Sequence, residues 1–348
     1  MIFVNEFSPM RLVALLSAIW LLTLAVSCSE DCYGEDTVTF LSGKDAKTRI
    51  NRTGEIVDYT GETLQLKLSS GRVENLPAAR VLDIRTQWIP AHERGDALRA
   101  EGKLEEAITA YKQAKRDEPR AWVRRRIMAS LVGCYAEASR FDFAGDEWLA
   151  IAASDPSTLH YDVIPVAWQS LPPDAALQAR AAAWMSSNAP SAQVLGASWL
   201  LGGAQRSEAI AILNDLVASK TIDPRIRSLA QIQLWRTKLV SAKLEDIQRW
   251  QAAVEQMPAE VRAGGYFVVG EGLARLDQSE KSALAYLRIP LVHNQQRTMA
   301  ADALLAAARL LQEKLGRSEE AAGLYREVLS GYSRTLAAGE AKAKLEPK

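Results

Sequence analysis

Histidine, cysteine and clustered charge are where this chain could do chemistry. It has three histidines, His92, His160 and His293, and none lies in an HExxH. GxSxG, GxxxxGK[ST] and CxxC are absent, so spacing offers no nucleophile elbow, phosphate cradle or redox pair. His92 and Asp96 stand four apart in a stretch of helical pattern and could reach one metal ion, but no third ligand accompanies them. They read as the polar inner face of a helix. Of the cysteines Cys28, Cys32 and Cys134, too few for a disulfide framework, Cys134 reads as a small buried side chain. A Cys32–Cys134 bond has no support in the sequence. No catalytic residue, metal or cofactor is expected.

One local feature points to a partner type. Lys112, Lys115, Arg116, Arg120, Arg124, Arg125 and Arg126 crowd a stretch whose only acids are Asp117 and Glu118. It reads either as a solvated face with salt bridges or as a patch for an anionic partner: a phospholipid head group, an acidic polysaccharide or an acidic protein tail. Successive helical residues are spread by about 100°, so Arg124, Arg125 and Arg126 cannot all face one way. Arg126 is expected on the concave side, with Arg99 also lining a groove. Across the 348 residues, 42 Lys and Arg balance 42 Asp and Glu, so no global charge attracts nucleic acid.

The elements that must position these residues fall into blocks. Arg11 is followed by an uncharged run from Leu12 to Ser29 and then by Glu30-Asp31, the layout of a secretory signal. Leu24-Ala25-Val26-Ser27-Cys28 resembles a bacterial lipobox, in which Cys28 would be lipidated, although Ala25 stands where leucine is usual. Cleavage after Ser27 without lipid, and retention as an anchor of roughly 27 Å, are the other readings. All three place the rest of the chain outside the cytoplasm, periplasmic or outer-surface and membrane-associated through residues 1–28.

From residue 36 to 87 the pattern becomes short alternating strands, at Thr37–Leu41, Thr48–Asn51, Gly54–Tyr59, Thr63–Leu68, Arg72–Leu76 and Val81–Thr86. Gly43, Gly61 and Gly71 mark turns. So few short strands make a poor open sheet, and a small five-stranded β-barrel is expected. The order resembles Sm-like or SH3-like barrels. Such barrels often bind RNA, but only Phe40 and Tyr59 could stack on bases here, so nucleic-acid binding is not expected.

Beyond Trp88 the helical period takes over. In Trp88–Ala121, Gly95 allows close helix approach, Gly102 marks a turn, Ala107, Tyr111 and Ala114 share a face, and Pro119 stops the second helix. This resembles a tetratricopeptide repeat (TPR), a helical hairpin of about 34 residues. A second hairpin spans residues 125–158, with Ala144 and Trp148 at the small and large positions. It departs from the pattern, with Gly133 one place late and Ser139 at the turn. Four prolines break residues 159–174 and its entry, a connector or hinge. TPR-like hairpins follow over residues 175–348, marked by Ala209 and Leu213 and by Ser282 and Tyr286, and residues 302–333 return to a clearer repeat with Gly316, Ala321, Tyr325 and Val328. A capping helix closes the series.

The expected architecture is therefore mainly α: a TPR-like α-solenoid of helical hairpins behind a small β-barrel, with two clear repeats at residues 88–158. The resemblance implies a groove that holds protein partners without chemistry, a scaffold of the cell envelope. The alternatives are an envelope enzyme or an accessory subunit of one, and a carbohydrate- or surface-binding module using the barrel. The asparagine–lysine clamp by which some TPR domains grip a carboxylate terminus is missing: His92, Asp96, Ala129 and Gly133 occupy its places.

Overall fold

Gly54 sets the shape of the N-terminal part. In the computed structural model, which describes residues 35–43, 47–168, 172–294 and 296–346, the segments expected as two strands at Thr48–Asn51 and Gly54–Tyr59 are one strand of 12 residues, β2 (Thr48–Tyr59). Its first half pairs with β1 (Asp36–Ser42) and its second half with β3 (Thr63–Lys67). The handover falls at Gly54, where a Cβ would run into the carbonyl oxygen of Lys67; only glycine permits that approach. With β4 (Val73–Pro77) and β5 (Val81–Arg85), the strands form an antiparallel sheet in the order β4-β3-β2-β1-β5.

The sheet is open, with β4 and β5 as its edges, so the expected barrel is not formed. Closure was expected because a small sheet cannot otherwise cover its apolar face. The helices cover it instead. Val38, Phe40, Ile56, Leu64, Leu66 and Leu76, all buried, belong to the same hydrophobic core as Trp122, Ile127 and Leu131 of the helical part.

Fourteen α-helices follow among the described residues. They are α1 (Pro90–Glu101), α2 (Leu104–Asp117), α3 (Ala121–Glu137), α4 (Phe141–Ser154), α5 (Ala175–Met185), α6 (Pro190–Leu200), α7 (Arg206–Ala218), α8 (Pro224–Arg236), α9 (Leu244–Gln256), α10 (Arg262–Arg275), α11 (Ser279–Val292), α12 (Arg297–Glu313), α13 (Ser318–Gly331) and α14 (Leu336–Leu345). Nearly every helix packs on the next, and α4, α6, α8 and α10 also touch in series, a solenoid-like arrangement. The small and large positions read from the sequence are buried throughout: Ala107 with Tyr111, Ala144 with Trp148, Ala209 with Leu213, Ser282 with Tyr286, and Ala321 with Tyr325. Gly95 makes room for the Tyr111 ring, whose nearest carbon would lie 2.6 Å from a Cβ there, and Gly270 does the same for Tyr286.

Four of the turns share one backbone device. Gly102, Ser139, Asp277 and Gly316 all have positive φ, at 89°, 58°, 55° and 67°. The amide after each of the first three donates back to a carbonyl in the preceding helix: Lys103 to Leu98, Arg140 to Tyr135, Gln278 to Leu273. This left-handed cap satisfies carbonyls that a helix end leaves open. Ser139 therefore does at the second hairpin what Gly102 does at the first, with a Cβ penalty.

The proline-rich connector is an ordered strap as far as Trp168. It forms a 3-10 turn at Leu159–Val163, and Ile164, Pro165, Val166 and Ala167 are buried. Ser198 Oγ accepts from the Ala167 amide (3.0 Å), the Trp199 indole donates to the Pro165 carbonyl (3.0 Å), and Gln233 and Arg236 donate to the Ala167 carbonyl. The array also meets itself. Helix α12 touches α3, and Arg334, between α13 and α14, donates to the carbonyls of Arg99 and Ala100 at the end of α1.

Candidate functional site at the seam between sheet and helices

The basic stretch lies where the sheet meets the helices, and the fold uses most of it there. Glu118, at the end of α2, has a side chain with no solvent exposure. Arg120 grips it with two bonds, Nε to Oε1 at 2.7 Å and an Nη to Oε2 at 2.9 Å. The same guanidinium donates to Thr86 Oγ1 (2.8 Å) and the Gln87 carbonyl (2.9 Å) in the linker after β5. It stands 4.0 Å from Asp36 of β1, whose other oxygen accepts the Ile56 amide of β2 at 2.8 Å. One arginine thus ties a helix end, a linker and two strands together.

Arg125 is a second tie. It is buried, and it donates to Asp58 and to the Tyr59 carbonyl of β2. Arg124 donates to the carbonyls of Glu118 (2.9 Å) and Pro119 (2.7 Å), where it caps the end of α2. Lys115 pairs with Glu147 of α4 at 2.8 Å. Arg126 is exposed, and its guanidinium lies 4.7 Å over the Trp88 ring. No acidic side chain of the described residues lies within ion-pair reach of it.

Arg99, expected in the groove, donates to Glu137 across α1 and α3 at 2.7 Å. Gly133 explains itself here: a Cβ would press on the Arg99 guanidinium, 2.5 Å away. The glycine that looked one place late is the opening through which Arg99 reaches Glu137. Cys28 lies outside the described residues.

The tip between β2 and β3 completes the seam. Gly61 sits so close to the Ser157 carbonyl that no Cβ fits; its amide donates to Asp155 (3.0 Å), and Ser157 Oγ donates to Glu62 (2.9 Å). Arg225, at the start of α8, holds the other side of that loop. It donates to the Ser157 and Thr158 carbonyls at 3.0 and 2.9 Å and stacks 3.9 Å over Tyr161.

Between these ties is a cleft of about 140 Å3, lined by Tyr59, Ile84, Trp122, Arg125, Arg126, Asp155, Thr158, Leu159 and His160. Burial, with Arg126 and Arg125 nearby, pushes the His160 imidazole down to about 4, so it is neutral at pH 7. Burial raises the Asp155 carboxyl, against the hydrogen bond from Gly61 and the charge of Arg125. Sequence reasoning found Arg125 and Arg126 but not the rest of this cleft. Asp155-Pro156-Ser157-Thr158 carried only a helix-stop signal, and nothing linked it to Tyr59 or Ile84.

The candidate pair His92 and Asp96 is 3.8 Å apart. His92 is buried edge-on against Trp88 and Tyr111, and burial lowers its pKa. Asp96 accepts the Tyr111 hydroxyl at 2.5 Å. No group of three potential metal ligands occurs among the described residues, and none of their helices is long and apolar enough to cross a membrane. A second, open hollow of about 570 Å3 lies on the sheet, lined by Thr39, Arg49, Asn51, Leu82, Asp83 and Arg85.

Comparison with protein-family models, with curated proteins and with solved structures gives no match.

Proposed function

We propose that this protein is a non-enzymatic scaffold for protein–protein interaction in the cell envelope, built on TPR-like hairpins and tethered to a membrane by a lipid on Cys28. The observation that carries the reading is how the fold spends its ionisable groups. Arg99, Arg120, Arg125 and Arg225 bond to carboxylates and carbonyls that join neighbouring elements. His92 is packed among rings. A rigid platform needs such ties, whereas catalysis needs a nucleophile, a base and an orienting group converging on open space. Hairpin packing through alanine and aromatic pairs supports the TPR likeness, and the run ending in Cys28 supports export and tethering.

In-cell cross-linking of the tagged protein, followed by mass spectrometry and by reconstitution with the purified partner, tests the reading. A stoichiometric partner that binds the purified chain is expected. Failure of every cross-linked candidate to bind in reconstitution, in lipid-bearing and lipid-free preparations alike, overturns it. A second reading, a surface-binding module that uses the sheet, has the hollow beside Thr39, Asn51 and Arg49 in its favour. Loss of envelope attachment in Arg49→Glu, with Cys28 intact, would favour that reading.

A further inference from the structure

The seam cleft holds a positive charge that the seam itself does not use. At its wall, Arg125 is matched by Asp58, and Asp155 is engaged by the Gly61 amide. Arg126 has no such match: it is exposed, its guanidinium is held over Trp88, and it helps to line the cleft. The lining also carries His160, half-buried, whose amide donates to Oγ1 of the fully buried Thr158 at 3.3 Å. Between them the lining is apolar, from Tyr59, Ile84 and Leu159.

We propose that this cleft binds a single carboxylate of a partner protein, with Arg126 as its counter-ion, His160 as a hydrogen-bonding group, and Tyr59, Ile84 and Leu159 around its stem. Size and charge choose the ligand class. A cleft of about 140 Å3 holds four or five water volumes at about 30 Å3 each, enough for a carboxylate with two or three carbons and too little for a sugar ring or a nucleotide. One unmatched guanidinium facing a neutral imidazole balances one negative charge, which suits a carboxylate better than a phosphate dianion.

Two of the walls are β2 and β5, so the pocket belongs to the joined sheet and helices and not to the helical array alone. The inference rests on the scaffold reading only for which chain bears the carboxylate. An acidic side chain and a chain terminus share that chemistry.

Histidine NMR tests it directly, since only three histidines are present and His160→Gln assigns the signal. Full-length protein labelled at histidine is titrated with acetate, with an acetylated and amidated Ala-Glu-Ala peptide, with an acetylated dialanine bearing a free terminus, and with phosphate at matched ionic strength. A saturable shift of the His160 resonance is expected with a carboxylate probe, and none at His293. The two peptides distinguish side chain from terminus. Arg126→Gln should weaken binding about tenfold, as for loss of a charge-assisted bond, with an unchanged melting temperature, and Arg126→Lys should recover part of it. No saturable shift with any carboxylate, an equal response to phosphate, or unchanged affinity in Arg126→Gln overturns the proposal. Failure here leaves the scaffold reading intact, and absence of any partner leaves the pocket intact.

Discussion

Replacing Arg120 with methionine keeps much of the side chain's volume and removes its charge and its donors. In the native seam the Arg120 and Glu118 side chains are 12% and 0% exposed, so solvent screens their interaction little. The variant would leave the Glu118 carboxylate buried with a single donor, the Arg120 backbone amide at 3.0 Å. Removing one partner of a buried pair costs about 3–5 kcal/mol, a large fraction of the 5–15 kcal/mol that typically holds a domain folded. The loss should be local first. Arg120 also holds Thr86 and Gln87, so amide hydrogen exchange should quicken in β1, in the linker after β5 and at the start of α3. Helices near the C-terminus should stay protected, because solenoid-like arrays transmit damage mainly to neighbours. Adding Glu118→Gln removes the stranded charge and should recover at least half of the loss. The assay is urea unfolding combined with hydrogen exchange read by mass spectrometry. A loss below about 1 kcal/mol, against the range expected for a broken buried pair, or no recovery in the double variant, would refute the assignment of Arg120 as the tie between sheet and helices.

Arg334→Ala should free the C-terminal hairpin from α1, raising the radius of gyration in X-ray scattering and quickening alkylation of Cys134, a fully buried thiol pushed up to about 11 by burial; unchanged scattering and alkylation would show that the end contact does not hold the shape. Ala107→Glu would bury an unpartnered carboxylate where the native side chain is fully buried and should cost several kcal/mol, so an unaltered melting profile contradicts the packing. Ser139→Gly relieves a β-carbon at φ 58° and should stabilise the second hairpin by about 1 kcal/mol, checked by urea midpoint. Burial pushes His160 from the usual 6.5 down to about 4 in the folded chain, so the unfolded chain binds the extra proton and stability should drop as pH falls from about 6.5 to about 4. Asp162 and Asp302, both raised to about 6, act in the opposite direction there, so the difference between wild type and His160→Gln is the quantity to measure. Cys28→Ala should leave an unprocessed, unacylated precursor, read by acyl labelling and N-terminal sequencing.

What the sequence revealed depended on how local the physics was. Period-two leucines at Leu64 and Leu66 placed β3, and the spacing of Ala107, Tyr111 and Ala114 placed α2, because each pattern is set by one element's own geometry. Openness of the sheet was not legible. It depends on whether Val38 and Leu66 find cover in β4 and β5 closing together or in Trp122 and Ile127, more than fifty residues away. The basic stretch misled for the same reason. Arg120 and Arg125 look like surface charge until Glu118, Asp58 and the Tyr59 carbonyl are seen to surround them. Arg126, the residue singled out by helical angle, is exposed with no acidic side chain of the described residues in reach, as is Arg116, and no sequence pattern linked Arg126 to His160. Gly133 shows the reverse case: a departure from a repeat pattern that records a specific contact, the reach of Arg99 to Glu137.

The contact between α12 and α3 changes what a partner can use. In an open array the inner surface of the first hairpins would be the natural groove, and Arg99 was expected to line it. Here Arg99 is bonded to Glu137, its carbonyl receives Arg334, and α12 lies against α3. The sheet occupies another part of α3 through Arg125 and Asp58. The C-terminal part of the array therefore covers part of α3 and the end of α1. That contact is small beside the extensive packing between successive helices. The seam cleft lies apart from that contact, between α3, the connector after α4 and the sheet.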